Sequence, residues 1–164
     1  MQRIIVIGCP GGGKSTFSRA LGEKCGLTVY HLDMLFWNPD KTIVDRAVFH
    51  ERQAEVISRD EWIIDGNFGS TLEMRLVACD TVFFLDYPTE LCLAGIRARR
   101  GMPRPDLPWI ETEEDEEFIE YVQSFGEKQA PEIMEIIEKH KAEKRIIVFR
   151  TREEADEFLM ELNA

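Results

Sequence analysis

The sequence predicts an α/β fold, a parallel sheet covered by helices on both faces, and three observations carry that prediction. Strand-like and helix-like segments alternate along all 164 residues. The first strand-like segment, Arg3-Ile4-Ile5-Val6-Ile7, is β-branched and continuously apolar after its arginine, the pattern of a strand buried on both faces. It runs straight into Gly8-Cys9-Pro10-Gly11-Gly12-Gly13-Lys14-Ser15, a full match to the phosphate-cradling pattern G-x-x-x-x-G-K-[ST], and then into a helix.

The remaining elements follow in order. Thr16 opens the first helix, where Phe17, Leu21 and Cys25 recur every fourth residue on one face. Thr28 to Leu32 reads as a short second strand ending at Asp33. Asp45 to Arg59 reads as a helix with Phe49, Val56 and Ile57 on its inner side. Trp62 to Asp65 is a third strand, stopped by Gly66-Asn67, and Ser70 to Cys79 a short helix capped by Ser70 or Thr71. Thr81 to Leu85 is a fourth strand, closed by Asp86-Tyr87-Pro88. The helix from Leu91 to Arg100 is broken by Gly101-Met102-Pro103-Arg104-Pro105. A helical stretch from about Asp115 to Lys141 turns Phe118, Val122, Phe125, Ile133, Ile136 and Ile137 inward, and Pro131 is expected to split it. Arg145 to Phe149 is the last strand and Glu153 to Leu162 the last helix.

The length suits one domain spanning 1–164, which should bury about 68–70% of its unfolded surface. No apolar run approaches the ~18 residues of a membrane span. Met1-Gln2-Arg3 passes directly into the first strand, leaving no room for a signal peptide. Cys9, Cys25, Cys79 and Cys92 fit neither a metal spacing nor a disulfide scaffold. The expectation is a cytoplasmic protein without a membrane partner, a monomer or a weak dimer.

The net charge of −11 is unevenly placed. Between Glu111 and Glu138 stand eleven acids and one base, Lys128, a local sum of −10. That stretch reads as a solvated helix surface, and it disfavours direct DNA binding, whose affinity comes largely from neutralised phosphates. Arg97, Arg99, Arg100 and Arg104 form the opposite case, a cluster without an acid among them, placed to hold a small polyanion.

The loop from Gly8 to Thr16 dictates the chemistry. Glycines let backbone N–H groups converge on phosphates, and the helix start adds partial positive charge. Lys14 would reach the β- and γ-phosphates and the Ser15 hydroxyl would ligate Mg²⁺. Helix-start electrostatics would lower the pKa of Cys9. In parallel sheets ligands gather beyond the carboxyl ends of the strands, where Asp33, Asp65 and Asp86 also stand.

The phosphate loop, His31-Leu32-Asp33-Met34-Leu35-Phe36-Trp37 and Trp62-Ile63-Ile64-Asp65-Gly66-Asn67-Phe68 together resemble the adenylate-kinase-related P-loop proteins called DNA topology modulation proteins. Phe84-Leu85-Asp86-Tyr87-Pro88 and the arginine cluster resemble the same family, so the likeness covers nearly the whole chain. The resemblance implies a three-layer P-loop NTPase fold with a five-stranded parallel sheet ordered 2-3-1-4-5. It also implies ATP and Mg²⁺, an acceptor-binding insert at about 33–60 and a lid at about 100–116. Lys14 with lid residues Arg97, Arg100 and Arg104 would neutralise a transferring phosphoryl group. Asp33 would orient or deprotonate the acceptor hydroxyl, and Asp65 would act on Mg²⁺ through water. Trp37, Asn67 and Arg75 would hold the acceptor, with Phe36 and Phe68 walling its pocket. Arg150-Thr151-Arg152 lies where relatives hold the purine, with Arg152 assigned to the nucleotide.

One departure stands out. Adenylate kinases follow their Asp-Gly with Phe-Pro-Arg, whereas Asn67-Phe68-Gly69 follows here and the nearest arginine is Arg75. The expected function is an ATP-dependent phosphotransferase, a small-molecule or nucleotide kinase similar to adenylate kinase, with AMP disfavoured as its acceptor. The rival expectation is a nucleotide-binding regulator of DNA topology without kinase activity. A GTPase is disfavoured, because no Asn-Lys-x-Asp segment occurs.

Overall fold

The computed structural model describes residues 1–162; the last two positions of the expected domain lie outside them. Five strands form one parallel sheet: β1 (Arg3–Gly8), β2 (Val29–His31), β3 (Trp62–Asp65), β4 (Thr81–Leu85) and β5 (Arg145–Phe149). Their order is β2-β3-β1-β4-β5, as the resemblance implied. β1 lies at the centre, with Ile5 facing Ile64 of β3 and Val82 of β4. That place explains its unbroken apolar run: Ile4, Ile5, Val6 and Ile7 are all fully buried.

Helices cover both faces: α1 (Lys14–Cys25), α2 (Leu32–Phe36), α3 (Arg46–Ile57), α4 (Leu72–Ala78), α5 (Thr89–Arg99), α6 (Glu116–Ser124), α7 (Gln129–Glu138) and α8 (Arg152–Glu161). The apolar positions of α1 pack as their spacing requires. Phe17 meets Phe83 of β4 at 5.1 Å and Phe149 of β5 at 5.7 Å, both edge to face. Phe158 of α8 closes the cluster 5.2 Å from Phe83. Local caps fix the ends. Asp45 accepts from the Ala47 N–H at the start of α3, and Thr151 and Glu154 form a reciprocal capping box on α8.

Two elements depart from expectation. The short α2 directly follows β2, in a stretch whose five residues are too few for periodicity to show. The acidic helical stretch breaks at Phe125–Lys128, around Gly126, and not at Pro131. Pro131 sits in the first turn of α7, where its missing N–H has no intrahelical partner to lose. Among the described residues no helix is long and apolar enough to cross a membrane.

Candidate active site

The phosphate loop leaves β1 and enters α1 over a tight backbone crossing. A Cβ on Gly11, whose φ is +80°, would lie 2.1 Å from the Cys92 carbonyl oxygen. A Cβ on Gly95 would lie 2.0 Å from the Gly11 carbonyl oxygen. Backbone therefore touches backbone where α5 runs under the loop, and only glycine fits at either position. From the other side, Asn67 clamps Gly8: its Oδ1 accepts from the Gly8 N–H at 3.1 Å and its Nδ2 donates to the Gly8 carbonyl at 2.8 Å. The loop is held before any ligand arrives.

A cleft of roughly 1350 Å³ opens above the loop. Pro10, Gly11, Gly13, Lys14, Ser15, Thr16 and Arg152 line it, as do Asp33, Trp37, Asp65, Asn67, Arg100 and Arg104. Gly8, Cys9 and Gly12 belong to the same loop without lining the cleft wall. The Lys14 ammonium folds back to donate to the Gly8 and Cys9 carbonyls at 3.0 and 3.2 Å. Burial lowers its pKa, against the pull of the Asp65 and Asp33 carboxylates.

Asp33 lies in the first turn of α2, just past the end of β2, and is mostly shut from water. Burial pushes its carboxyl up to about 6, with Lys14 pulling the other way and Asp65 and Asp106 adding to the rise. Asp65, at the end of β3, is buried and pairs with His31 Nδ1 at 2.8 Å across the β2–β3 register. His31 was not singled out for this role; the signal lay in strand pairing, which places it directly opposite Asp65.

One expected acceptor ligand, Arg75, and one expected wall residue, Phe36, stand outside the cleft lining. Arg75 is fully buried beneath the β3–α4 loop and does not line the cleft. Its guanidinium donates to the Gly66 and Phe68 carbonyls at 2.9 and 3.0 Å and also to the Asn67 carbonyl. Desolvation lowers its pKa to about 10. This fork holds Phe68 in the left-handed region, φ +39°, which a bulky side chain rarely adopts. Phe68 is thereby set against Phe36 and Phe49, with ring centroids 4.9 and 5.1 Å away. Phe36 backs this wall rather than facing the cleft.

The arginine cluster also divides. Arg97 is exposed and stands outside the cleft; it lies within α5, whereas Arg100 and Arg104 follow the end of that helix and turn into the cleft. Arg99 lines the cleft in its place. The acids that sequence placed on a solvated surface neutralise this cluster. Glu111 lies 3.3 Å from Arg99 and 3.6 Å from Arg104, and Glu114 lies 3.1 Å from Arg100. These pairs are only partly buried, so little energy opposes exchanging the carboxylates for phosphate oxygens.

The segment between α5 and α6 contributes Asp106, which sequence reasoning missed. Its Oδ2 accepts from the Ser15 hydroxyl at 3.0 Å, and Arg104 lies 3.8 Å from Oδ1. Burial works to raise its pKa, yet Arg104 and the Ser15 hydroxyl outweigh that and hold the carboxyl below its usual range. The only signal in the sequence was an acid two residues after Arg104, the last arginine of the cluster. Trp109, from the same segment, meets Trp37 edge to face at 5.7 Å, and Lys41 stands 5.2 Å over the Trp109 ring. The Cys9 thiol is pushed up, not down, first by its interaction with Cys92 and then by burial.

No protein-family model matches the chain, and no curated protein matches its sequence. Solved structures do. A gluconokinase from Sinorhizobium meliloti 1021 is 15% identical, with a TM-score of 0.61 over 98% of this chain and 89% of that one. A shikimate kinase from Bacteroides thetaiotaomicron is 19% identical, with a TM-score of 0.62 over 98% of this chain and 95% of that one. With its 2-3-1-4-5 sheet and its phosphate loop, the chain has the P-loop kinase fold.

Proposed function

We propose that the protein is an ATP-dependent phosphotransferase that transfers the γ-phosphoryl group of Mg-ATP to a hydroxyl of a small acceptor. The observation that carries this reading is that the Lys14 ammonium and the Asp33 carboxyl share one cleft and feel each other's charge. One would neutralise the transferring group and the other would take the acceptor's proton.

The residues suit each task. Backbone N–H groups of Gly11 and of Gly13 to Thr16 would bind the phosphates, and Lys14 would leave the Gly8 and Cys9 carbonyls for the β- and γ-oxygens. Arg99, Arg100 and Arg104 release Glu111 and Glu114 to gather charge on the same group, while Arg152 lies by the nucleotide end. Asp33 accepts the hydroxyl proton as the acceptor oxygen bonds to the γ-phosphorus and the bond to the β-phosphate oxygen breaks, leaving ADP. Trp37 lines the acceptor side, from an insert at about 33–60, and a lid at about 100–116 excludes water.

Among the described residues no cluster of three or more His, Cys, Asp or Glu forms a self-sufficient metal cage. Mg²⁺ does not need one, since it is held by one or two protein oxygens together with phosphates and water. Ser15 fits as a direct ligand and Asp65 as a contact through water, and the ion would supply charge neutralisation. We read the likeness to DNA topology modulation proteins as kinase ancestry and not DNA contact, because Glu113 to Glu117 line the cleft mouth.

The test is ADP release by pure protein with Mg-ATP and a panel of hydroxyl acceptors. Lys14→Ala, at a half-buried position away from the core, should abolish release while leaving the circular dichroism spectrum unchanged. Undiminished release in that variant would overturn the mechanism.

A further inference from the structure

The side of the cleft that faces the phosphate loop has an unusual charge balance for a phosphate-accepting enzyme. Of the cleft-lining residues between Asp33 and Leu72, Lys41 is the one cation, and its ammonium lies over the Trp109 ring. Asp33 and Asp65 line the same side, while Asp106 and Glu111, from the segment after α5, are offset by Arg99 and Arg104. The two side chains best placed to grip an anionic acceptor are already committed. Arg75 spends its guanidinium on the Gly66, Asn67 and Phe68 carbonyls, and Asn67 spends both amide atoms on Gly8. On this side an anion would meet Asp33 and Asp65, and the nearest guanidinium group, that of Arg104, is shared with Asp106 and Glu111.

The wall is otherwise aromatic. Trp37, Phe68 and Trp109 present ring faces and edges to the cleft. The Trp109 indole N–H is buried and makes no hydrogen bond among the described residues, which leaves a donor for a ligand oxygen. Rings that cover C–H faces, carboxylates that accept from hydroxyls and a spare indole donor are complementary to a polyhydroxylated ring. We infer that the acceptor is an alcohol carrying no phosphate or carboxylate, an uncharged hydroxylated ring being the class that the wall fits. This rests on the kinase reading for the reaction itself; the charge selectivity of the wall stands apart from it.

That separation sets the experiment. The chain has three tryptophans, and Trp62 is fully buried, so collisional quenching reports Trp37 and Trp109. Iodide, acrylamide and caesium serve as anionic, neutral and cationic probes, with and without Mg-ADP. Iodide should quench about threefold less than acrylamide, each normalised to free tryptophan, as expected where the local potential excludes anions by about one kT. Gly69 lines the cleft, and a Cβ there would meet nothing within 4 Å. Gly69→Arg should therefore fold, raise iodide quenching to the acrylamide level and admit anionic acceptors. In parallel, ADP release is compared for cyclic polyols, nucleosides and amino-sugars against nucleoside monophosphates and hydroxy acids. Equal quenching by iodide and acrylamide in the parent chain overturns the inference, as does turnover confined to the phosphorylated or carboxylated acceptors. Failure of the folded chain to take up any Mg–nucleotide overturns the kinase reading instead, and the quenching ratio without nucleotide still decides the charge of the wall.

Discussion

The Asp106 carboxylate lies 3.0 Å from the Ser15 hydroxyl, bringing an oxygen of the segment after α5 to the head of α1. Ser15 is the residue expected to ligate Mg²⁺, so a lid carboxylate sits beside the metal position. Asp106→Asn removes the charge and keeps the shape. If the carboxylate helps hold the ion, the variant should need about tenfold more Mg²⁺ for half-maximal uptake with ADP, a loss of about 1.4 kcal/mol. Tighter metal uptake in Asp106→Asn would instead mark Asp106 as a plug over Ser15.

Asp33 predicts a pH profile. Its carboxyl is raised from the usual carboxylate range to about 6, chiefly by burial, so the fold favours its protonated form. Stability contributed by that form is present at low pH and declines as pH rises through this window. Turnover, which needs the carboxylate, should rise across the same interval, with the acid limb of kcat/KM near pH 6. Asp33→Asn should lose phosphoryl transfer while retaining ATP affinity by calorimetry. An acid limb near pH 4 in the parent chain would show that Asp33 is not the base.

Arg75 should matter to folding more than to acceptor affinity. Arg75→Met leaves the Gly66, Asn67 and Phe68 carbonyls without their shared donor. The expected cost is about 3 kcal/mol or more by urea unfolding, since each unsatisfied buried group costs about 1–3 kcal/mol. Arg75→Lys should not rescue it, because an ammonium cannot reproduce the planar fork. Wild-type stability with a raised acceptor KM would return Arg75 to the cleft.

Gly95→Ala tests the contact between α5 and the phosphate loop. Helix propensity alone favours alanine by about 1 kcal/mol. The new Cβ, however, would stand 2.0 Å from the Gly11 carbonyl oxygen, which must shift with the loop. Overpacking of this kind costs about 1–3 kcal/mol, so a net loss of stability and weaker Mg-ADP binding are expected. A raised melting temperature with unchanged nucleotide affinity would refute the close approach.

The architecture was legible because it rests on local patterns. The apolar run of β1, the glycine spacing after it and the alternation of periods two and 3.6 survive any packing detail. The sheet order came from resemblance and matches the strand pairing. Element ends drifted where tertiary contacts decide: α2 is too short to show a period, and Gly126 rather than Pro131 ends a helix.

The sequence by itself determined that a phosphate loop opens the first helix and that Asp33 and Asp65 stand at strand ends beside it. Only tertiary structure decided what the polar side chains spend their hydrogen bonds on. Asn67 and Arg75 look like ligands in a linear chain, yet they brace Gly8 and the Phe68 loop, because buried backbone carbonyls and N–H groups must be paired. Glu111 looks like a solvated acid and Asp106 carries no mark in the sequence, yet they meet Arg99, Arg104 and Ser15 in space. Hydrophobic periodicity is a property of neighbours along the chain, whereas the pairing of charges and donors is a property of neighbours in space.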